Sequence, residues 1–176
     1  AGNMLALTAA IAAVEGNAKY AEKHWDVLTV WTDYLVEKGL DPENQLCTDD
    51  FAGHFAHNTN LSIKAIMGVA GYGKLAGMLG KKDVEAQYMQ SARDMAAKWV
   101  DMAKDGDHYK LTFDQPGTWS QKYNLVWDRL LGFNIFPTEV AATELAYYKT
   151  KQNAFGLPLD NREDYTKSDW IIWTAC

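Results

Sequence analysis

The sequence predicts an all-α fold of antiparallel helical hairpins, about half of a helical toroid. Two observations support this prediction. Apolar residues recur with helical spacing along nearly the whole chain of 176 residues. Helix pairs are separated by long loops, with a period of about 60 residues, which fits a toroid better than a closed four-helix bundle. The composition, 48% hydrophobic, is rich enough in apolar residues to build a core.

The first hairpin is predicted over residues 4–14 and 18–37. The first helix has one apolar stripe, formed by Met4, Leu7, Ile11 and Val14. Asn3 is positioned to cap its start, and Gly39 is expected to stop the second helix. A tight turn between the two helices favours antiparallel packing.

The second hairpin is predicted over residues 59–79 and 83–104. Its first helix is apolar almost all round and contains Gly68, Gly71, Gly73 and Gly77. Because each glycine costs about 1 kcal/mol relative to alanine in a helix, this helix is expected to be central and closely approached by its neighbours. Asp83 is the expected N-cap of the outer helix.

Further helices are predicted over residues 121–131, with Ser120 as the cap, and over 137–152, with Pro137 in the first turn. A final helix is expected to begin near Glu163 or Tyr165. Residues 110–113 alternate weakly and are compatible with a short strand. The apolar end, residues 170–176, lacks a stop signal, so the chain is expected to be a fragment of one longer domain.

The net charge of −6 disfavours nucleic acid and an anionic membrane surface as partners. No segment reaches the roughly 20 apolar residues that span a bilayer, and no signal peptide is recognised.

Cys47 and Cys176 are expected to be free thiols. His54 and His57 would need a third ligand to hold a metal, so neither a metal nor a cofactor is predicted.

Three loop segments carry the candidate chemistry. In the first, Asp49 or Asp50 is the candidate carboxylate, with His54 beside it; local capping is the alternative. The second offers aromatic faces and polar groups for a ligand: Trp119, Lys122, Tyr123, Asn124 and Asp128. The third alternates acids and bases: Asp160, Arg162, Lys167 and Asp169. Because each segment precedes a helix, all three are expected to gather at one end of a toroid.

These segments resemble the glutaminase A family, and specifically its six-helical-hairpin domain. The resemblance lies in residues 46–54, 118–128 and 157–170, and the protein is expected to be a bacterial member. It implies an (α/α)6 toroid, like that of the six-hairpin glycosidases, and an extracytoplasmic parent protein with an N-terminal β-rich domain. It also implies hydrolysis of the glutamine side-chain amide to glutamate and ammonia.

Within that resemblance, Asp49 or Asp50 is the expected activator of water. One alternative is a glycoside hydrolase that acts on a carbohydrate with two carboxylates, Asp50 together with Asp169 or Asp128. Another is a non-catalytic fragment. The expected partner is a small-molecule or carbohydrate substrate, and an open apolar edge of the fragment predicts self-association.

Overall fold

The computed structural model describes residues 1–43 and 53–176, and its secondary structure is predominantly helical, as predicted. The helices are α1 (Gly2–Glu15), α2 (Lys19–Lys23), α3 (Trp25–Lys38), α4 (Thr59–Met78), α5 (Lys82–Ala103), a 3-10 helix (Tyr123–Leu125), α6 (Val126–Leu130), α7 (Thr138–Lys149) and α8 (Ser168–Ala175). Two short antiparallel strands, β1 (Lys104–Asp105) and β2 (His108–Tyr109), follow α5. Within the described ranges, no helix combines the length and apolarity that crossing a membrane requires.

Helix α4 is the centre of the fold, which confirms the prediction of a buried central helix. It is buried on nearly every side and packs against α1, α3 and α5, forming an antiparallel hairpin with α5. Its glycines allow this approach: a Cβ built on Gly68 would lie 3.2 Å from the Cα of Gly2. A Cβ built on Gly71 would lie 3.2 Å from the Cβ of Ala9. Larger side chains at these positions would therefore separate α4 from α1.

The apolar stripe of α1 is not the face that packs on α4. Its buried face consists of Leu5 and small residues, Ala6, Thr8, Ala9 and Ala12, because only small side chains fit against the glycines of α4. The predicted stripe therefore points outward: Met4, Leu7 and Val14 are exposed. The helix also begins at Gly2, so Asn3 lies inside the first turn and is not the cap.

The predicted second helix, residues 18–37, is two helices. His24 interrupts it with φ −119° and ψ 18°, outside the helical region, so α2 ends at Lys23 and α3 begins at Trp25. Helix α5 begins one residue earlier than expected, and Asp83 lies in its first turn, whereas Lys81 occupies the N-cap. The hairpin arrangement is unchanged by either difference, since α1 contacts both α2 and α3.

The predicted helix over residues 121–131 begins later because its first residues pair with a distant segment. Ser120 forms an antiparallel bridge with Asp160 and does not cap a helix. A 3-10 helix and α6 follow, ending at Leu130. Residues 110–113 form no strand; Thr112 makes a single bridge to Asn58. Helix α8 begins at Ser168, after the predicted start.

Candidate functional site

The second and third loop segments are joined through their backbones. The Gln121 N–H donates to the Leu159 carbonyl at 2.8 Å, and the Asn161 N–H donates to the Trp119 carbonyl at 3.3 Å. The Asn161 side-chain oxygen accepts from the Trp119 N–H at 2.9 Å. These bonds lie on either side of the Ser120–Asp160 bridge. Segments nearly 40 residues apart therefore form one short ribbon.

The first segment reaches this ribbon through Arg162. Its Nη1 donates to the Gly53 carbonyl at 2.9 Å, and its guanidinium lies over the Phe55 ring, 4.9 Å from the centroid. The second segment is also fixed to the start of α4, where Asn124 Nδ2 donates to the Asn60 carbonyl at 3.0 Å. The described parts of all three segments thus come together, and their predicted place at one end of a toroid stays a prediction.

Asp160 and Arg162 form a two-pronged ion pair at the centre of this meeting point. Arg162 Nε donates to Asp160 Oδ1 at 2.9 Å, and Arg162 Nη2 donates to Oδ2 at 2.5 Å. The Arg162 N–H donates to Oδ1 as well, at 2.8 Å. Asp160 is 2% exposed, so its charge is balanced inside the protein by a guanidinium and a backbone dipole. Asp160 therefore orients Arg162.

Lys122 is the second buried charge of the site. Its ammonium donates to the carbonyls of Tyr109 at 3.1 Å and Ser120 at 2.8 Å. The carboxylate of Glu144 lies 3.3 Å from the same nitrogen, and both side chains are almost fully buried. Burial lowers the pKa of Lys122, and the nearby Glu144 carboxylate opposes that shift. Lys122 thus holds the ribbon to β2 and α7.

Glu144 and Tyr148 complete this buried network. Glu144 Oε1 accepts from the Tyr109 N–H at 2.8 Å, and Oε2 accepts from the Tyr148 hydroxyl at 2.6 Å. The Tyr148 hydroxyl in turn accepts from the Lys122 N–H at 2.8 Å. Burial, followed by the Glu144 charge, raises the pKa of Tyr148 well above its ordinary value. The hydroxyl therefore stays protonated.

Glu144 and Tyr148 were not among the residues that the sequence predicted for the site. A signal was available: Val140, Glu144 and Tyr148 follow one another at spacings of four, which places a carboxylate on the buried face of α7. A charged residue on a buried helical face predicts an internal partner. The sequence could not identify Lys122 as this partner, because Lys122 and Glu144 are 22 residues apart, with α6 and a loop between them.

The aromatic candidates are buried parts of the site. Tyr123 stacks on Trp170 with centroids 4.8 Å apart and planes 3° apart. Lys167 Nζ lies over the Trp170 ring, 4.7 Å from its centroid. Trp119 packs in a separate cluster with Tyr148 and other residues of the same region. These rings fix α8 and α7 against the ribbon.

The carboxylate candidates lie in different surroundings. Asp128 accepts the N–H groups of Ile135 and Phe136, at 3.0 and 2.9 Å, and so fixes the loop after α6. Asp169 is exposed in the first turn of α8. His54 is exposed near the Gly53 anchor.

Asp49, Asp50 and Cys47 lie outside the described residues, so their predicted roles stay predictions. Among the described residues on either side of them, His57 Nδ1 forms a 2.7 Å hydrogen bond with Asp41 Oδ1. In the described ranges no group of three His, Cys, Asp or Glu side chains is arranged to hold a metal ion.

A cavity of about 280 Å³ lies beside the network, between α6, α7 and α8. Lys122, Glu144 and Tyr148 contribute to its wall, and Phe136 and Trp173 give it aromatic surface. Its size is close to that of small-molecule sites, which begin at about 300 Å³. The arrangement thus combines a pocket, a buried ion pair and a ribbon that gathers three polar loops.

The fold and site define an all-α protein of packed helical hairpins with a polar loop cluster at the helix ends. The family model described as "Glutaminase A six helical-hairpin domain" matches residues 1–176. The chain belongs to this family.

Two curated relatives agree with this assignment. The chain is 36% identical over 178 residues to Glutaminase A of Aspergillus oryzae, an alignment that covers 99% of the chain and 26% of that relative. It is 34% identical over 185 residues to Probable glutaminase/05536 of Arthroderma benhamiae, covering 89% of the chain and 22% of that relative. The chain therefore spans about a quarter of the length of these relatives. No solved structure matches it.

Proposed function

We propose that the protein hydrolyses the side-chain amide of glutamine to glutamate and ammonia, as part of a larger catalytic unit. The observation that carries the proposal is the whole-chain match to the glutaminase A domain, including the relative named Glutaminase A. The meeting of the three loop segments supports it, because residues far apart in sequence can then act on one substrate. The hairpins are proposed to be part of an (α/α)6 toroid.

In the proposed reaction, a carboxylate accepts a proton from water as the water oxygen adds to the amide carbon. The carboxylic acid so formed then donates this proton to the amide nitrogen of the tetrahedral intermediate, the C–N bond breaks, and ammonia leaves as the carboxylate is restored. Asp49 or Asp50 is the proposed carboxylate. An oxyanion needs fixed donors close to the developing charge. Lys167, which is exposed, and Arg162, which is partly exposed, are the cationic candidates. Lys122 is not a candidate, because it is buried beside Glu144 and out of reach of a substrate.

The buried residues of the site are assigned a supporting role. Lys122, Asn124 and Asp160 direct their polar groups at other parts of the protein. They are therefore proposed to shape the site without contacting substrate. Tyr123 and Trp119, which are buried in aromatic clusters, are proposed to do the same.

The test is release of ammonia from glutamine by the protein and by Asp49→Asn and Asp50→Asn variants. Asp83→Asn is the matched control, because Asp83 is exposed in the first turn of α5, at the opposite end of that helix from β1 and β2. We expect one of the two site variants to lose at least 100-fold in kcat, and the control to keep full activity. Aryl glycosides in the same screen test the carbohydrate alternative. Hydrolysis of glycosides without hydrolysis of glutamine would overturn the proposal.

A further inference from the structure

Residues 53–55 are held by contacts with the third loop segment. They form neither helix nor strand, so their position depends on contacts with other parts of the protein. Arg162 Nη1 donates to the Gly53 carbonyl at 2.9 Å, and the Arg162 guanidinium lies 4.9 Å from the centroid of the Phe55 ring. The hydrogen bond joins residues 109 positions apart in the sequence. Asp160, Arg162 and Gly53 together are called the clasp below.

The clasp is rigid on the side of the third segment. The side chain of Arg162 is 14% exposed and that of Asp160 is 1% exposed. Asp160 accepts from both Nε and Nη2 of Arg162, so the planar guanidinium cannot turn without breaking two hydrogen bonds at once. The backbone of Asp160 is itself fixed by its bridge to Ser120 in the ribbon. Arg162 therefore presents Nη1 to Gly53 in one direction.

Gly53 supplies the matching acceptor through its backbone conformation. Its φ of 87° lies in the left-handed region that favours glycine. A Cβ built on Gly53 would lie 3.8 Å from Arg162 Nη1, which is an ordinary contact distance. Alanine at this position would therefore act through backbone strain and not through a clash. Gly53→Ala thus disturbs the clasp without changing any charge.

We propose that the clasp positions the first loop segment for amide hydrolysis, with Arg162 as a positioning residue that does not contact the substrate. This inference rests on the proposed function. Gly53 follows Asp50 by three positions in the sequence, and Asp49 and Asp50 lie outside the described residues. Moving Gly53 moves the chain that leads to both carboxylates, and a displacement of about 1 Å can lower a rate about 100-fold. Of the two cationic candidates, Lys167 is then the one that stabilises the oxyanion.

Steady-state hydrolysis of glutamine by purified protein that carries this chain separates positioning from substrate contact. We expect Gly53→Ala and Arg162→Lys each to lower kcat at least about tenfold and to change KM less than about threefold. Lysine keeps the positive charge, but it lacks the planar fork that serves Asp160 and Gly53 together. Gly80→Ala and Arg93→Lys are the matched controls and should keep full activity. Gly80 has a similar φ, 76°, just after α4, and Arg93 is exposed on α5.

Hydrogen–deuterium exchange tests the clasp without relying on activity. In peptides that cover residues 53–57, exchange at short labelling times should be at least about threefold faster in Arg162→Lys and in Gly53→Ala than in the wild-type protein. Arg93→Lys should leave this exchange unchanged. Circular dichroism verifies that each variant remains folded, so that a lower kcat is not a loss of folded protein.

The outcomes separate the clasp from the catalytic proposal. A lowered kcat in Arg162→Lys with an unchanged kcat in Gly53→Ala would assign Arg162 to substrate contact and would overturn the positioning role. Unchanged exchange over residues 53–57 in Arg162→Lys would overturn the clasp itself. If the wild-type protein did not hydrolyse glutamine, the proposed function would fail and the positioning role with it. Faster exchange in the clasp variants would then still establish that Arg162 holds residues 53–55.

Discussion

The carboxylate of Glu144 lies 3.3 Å from the ammonium of Lys122, with the two side chains 2% and 1% exposed. This pair joins α7 to the ribbon that gathers the three loop segments. Breaking a buried pair from one side is costly because the remaining charge cannot reach water. The pair is therefore the part of the site where substitution should have the largest structural effect.

Replacing Glu144 by Gln should destabilise the protein by about 3 kcal/mol, because it leaves the Lys122 ammonium without its counter-charge. Urea unfolding measures the effect. Glu85→Gln is the matched control: it removes an ion pair with Lys82, whose side chain is 73% exposed, and should cost about 0.5 kcal/mol or less. Equal losses in the two variants would show that the buried pair has no special structural role.

Tyr148→Phe should cost about 1–3 kcal/mol, since it removes the hydroxyl that joins Glu144, Ser120 and Lys122. Combined with Glu144→Gln, the loss should be smaller than the sum of the two single losses, because the residues share one network. Tyr20→Phe, at an exposed position of α2, should change the free energy of unfolding by less than about 0.5 kcal/mol. If the losses in unfolding free energy were strictly additive, Tyr148 would act independently of Glu144.

The pair of His57 and Asp41 predicts a pH-dependent contribution to stability. The hydrogen bond to Asp41 raises the pKa of His57, with smaller contributions from the charges of Asp114 and Glu43. A raised pKa in the folded state stabilises the protein fully below the ordinary histidine pKa. That stabilisation is lost as the pH rises through the raised value.

NMR titration checks this prediction on His57 directly. Asp41→Asn should return the pKa of His57 towards its ordinary value, whereas Asp114→Asn should change it much less. The difference in unfolding free energy between the wild-type protein and Asp41→Asn should be larger at pH 5.5 than at pH 8.5. A difference that is larger at pH 8.5 would contradict the assignment of the shift to Asp41.

Asp128 is predicted to stabilise the loop after α6. Asp128→Ala removes the acceptor for the N–H groups of Ile135 and Phe136 and should cost about 1–3 kcal/mol. Asp128→Asn keeps one acceptor oxygen and should recover part of that loss. A protein with Asp128→Asn that is fully stable but inactive on its substrate would instead support a chemical role for this carboxylate.

Local sequence signals predicted the helical fold class. They did not predict the backbone pairing between the second and third loop segments. The glycines of α4 predicted close helix contacts, and the contacts with α1 confirm this. Periodicity alone could not decide which face of α1 is buried, because small residues on one side and large apolar residues on the other satisfy it equally. The prediction of a cap at Ser120 was wrong because its bridge to Asp160 leaves no local pattern.

The sequence predicted which segments form the candidate site. The surroundings of the individual side chains became clear only from the structure. Lys122 and Asp160 read as ligand-binding groups because they are polar and lie in loops. Both side chains are buried and have internal partners, and for this reason we propose a supporting role for them. Such roles depend on desolvation and on contacts between distant segments, and neither can be predicted from the neighbouring residues in the sequence.

Ammonia release from glutamine tests the central proposal most directly. We predict that purified protein carrying this chain turns over glutamine and that the turnover depends on Asp49 or Asp50. We also predict that turnover does not depend on Asp83, the exposed control position at the start of α5. Absence of glutamine hydrolysis, or hydrolysis unchanged by both Asp49→Asn and Asp50→Asn, would contradict it.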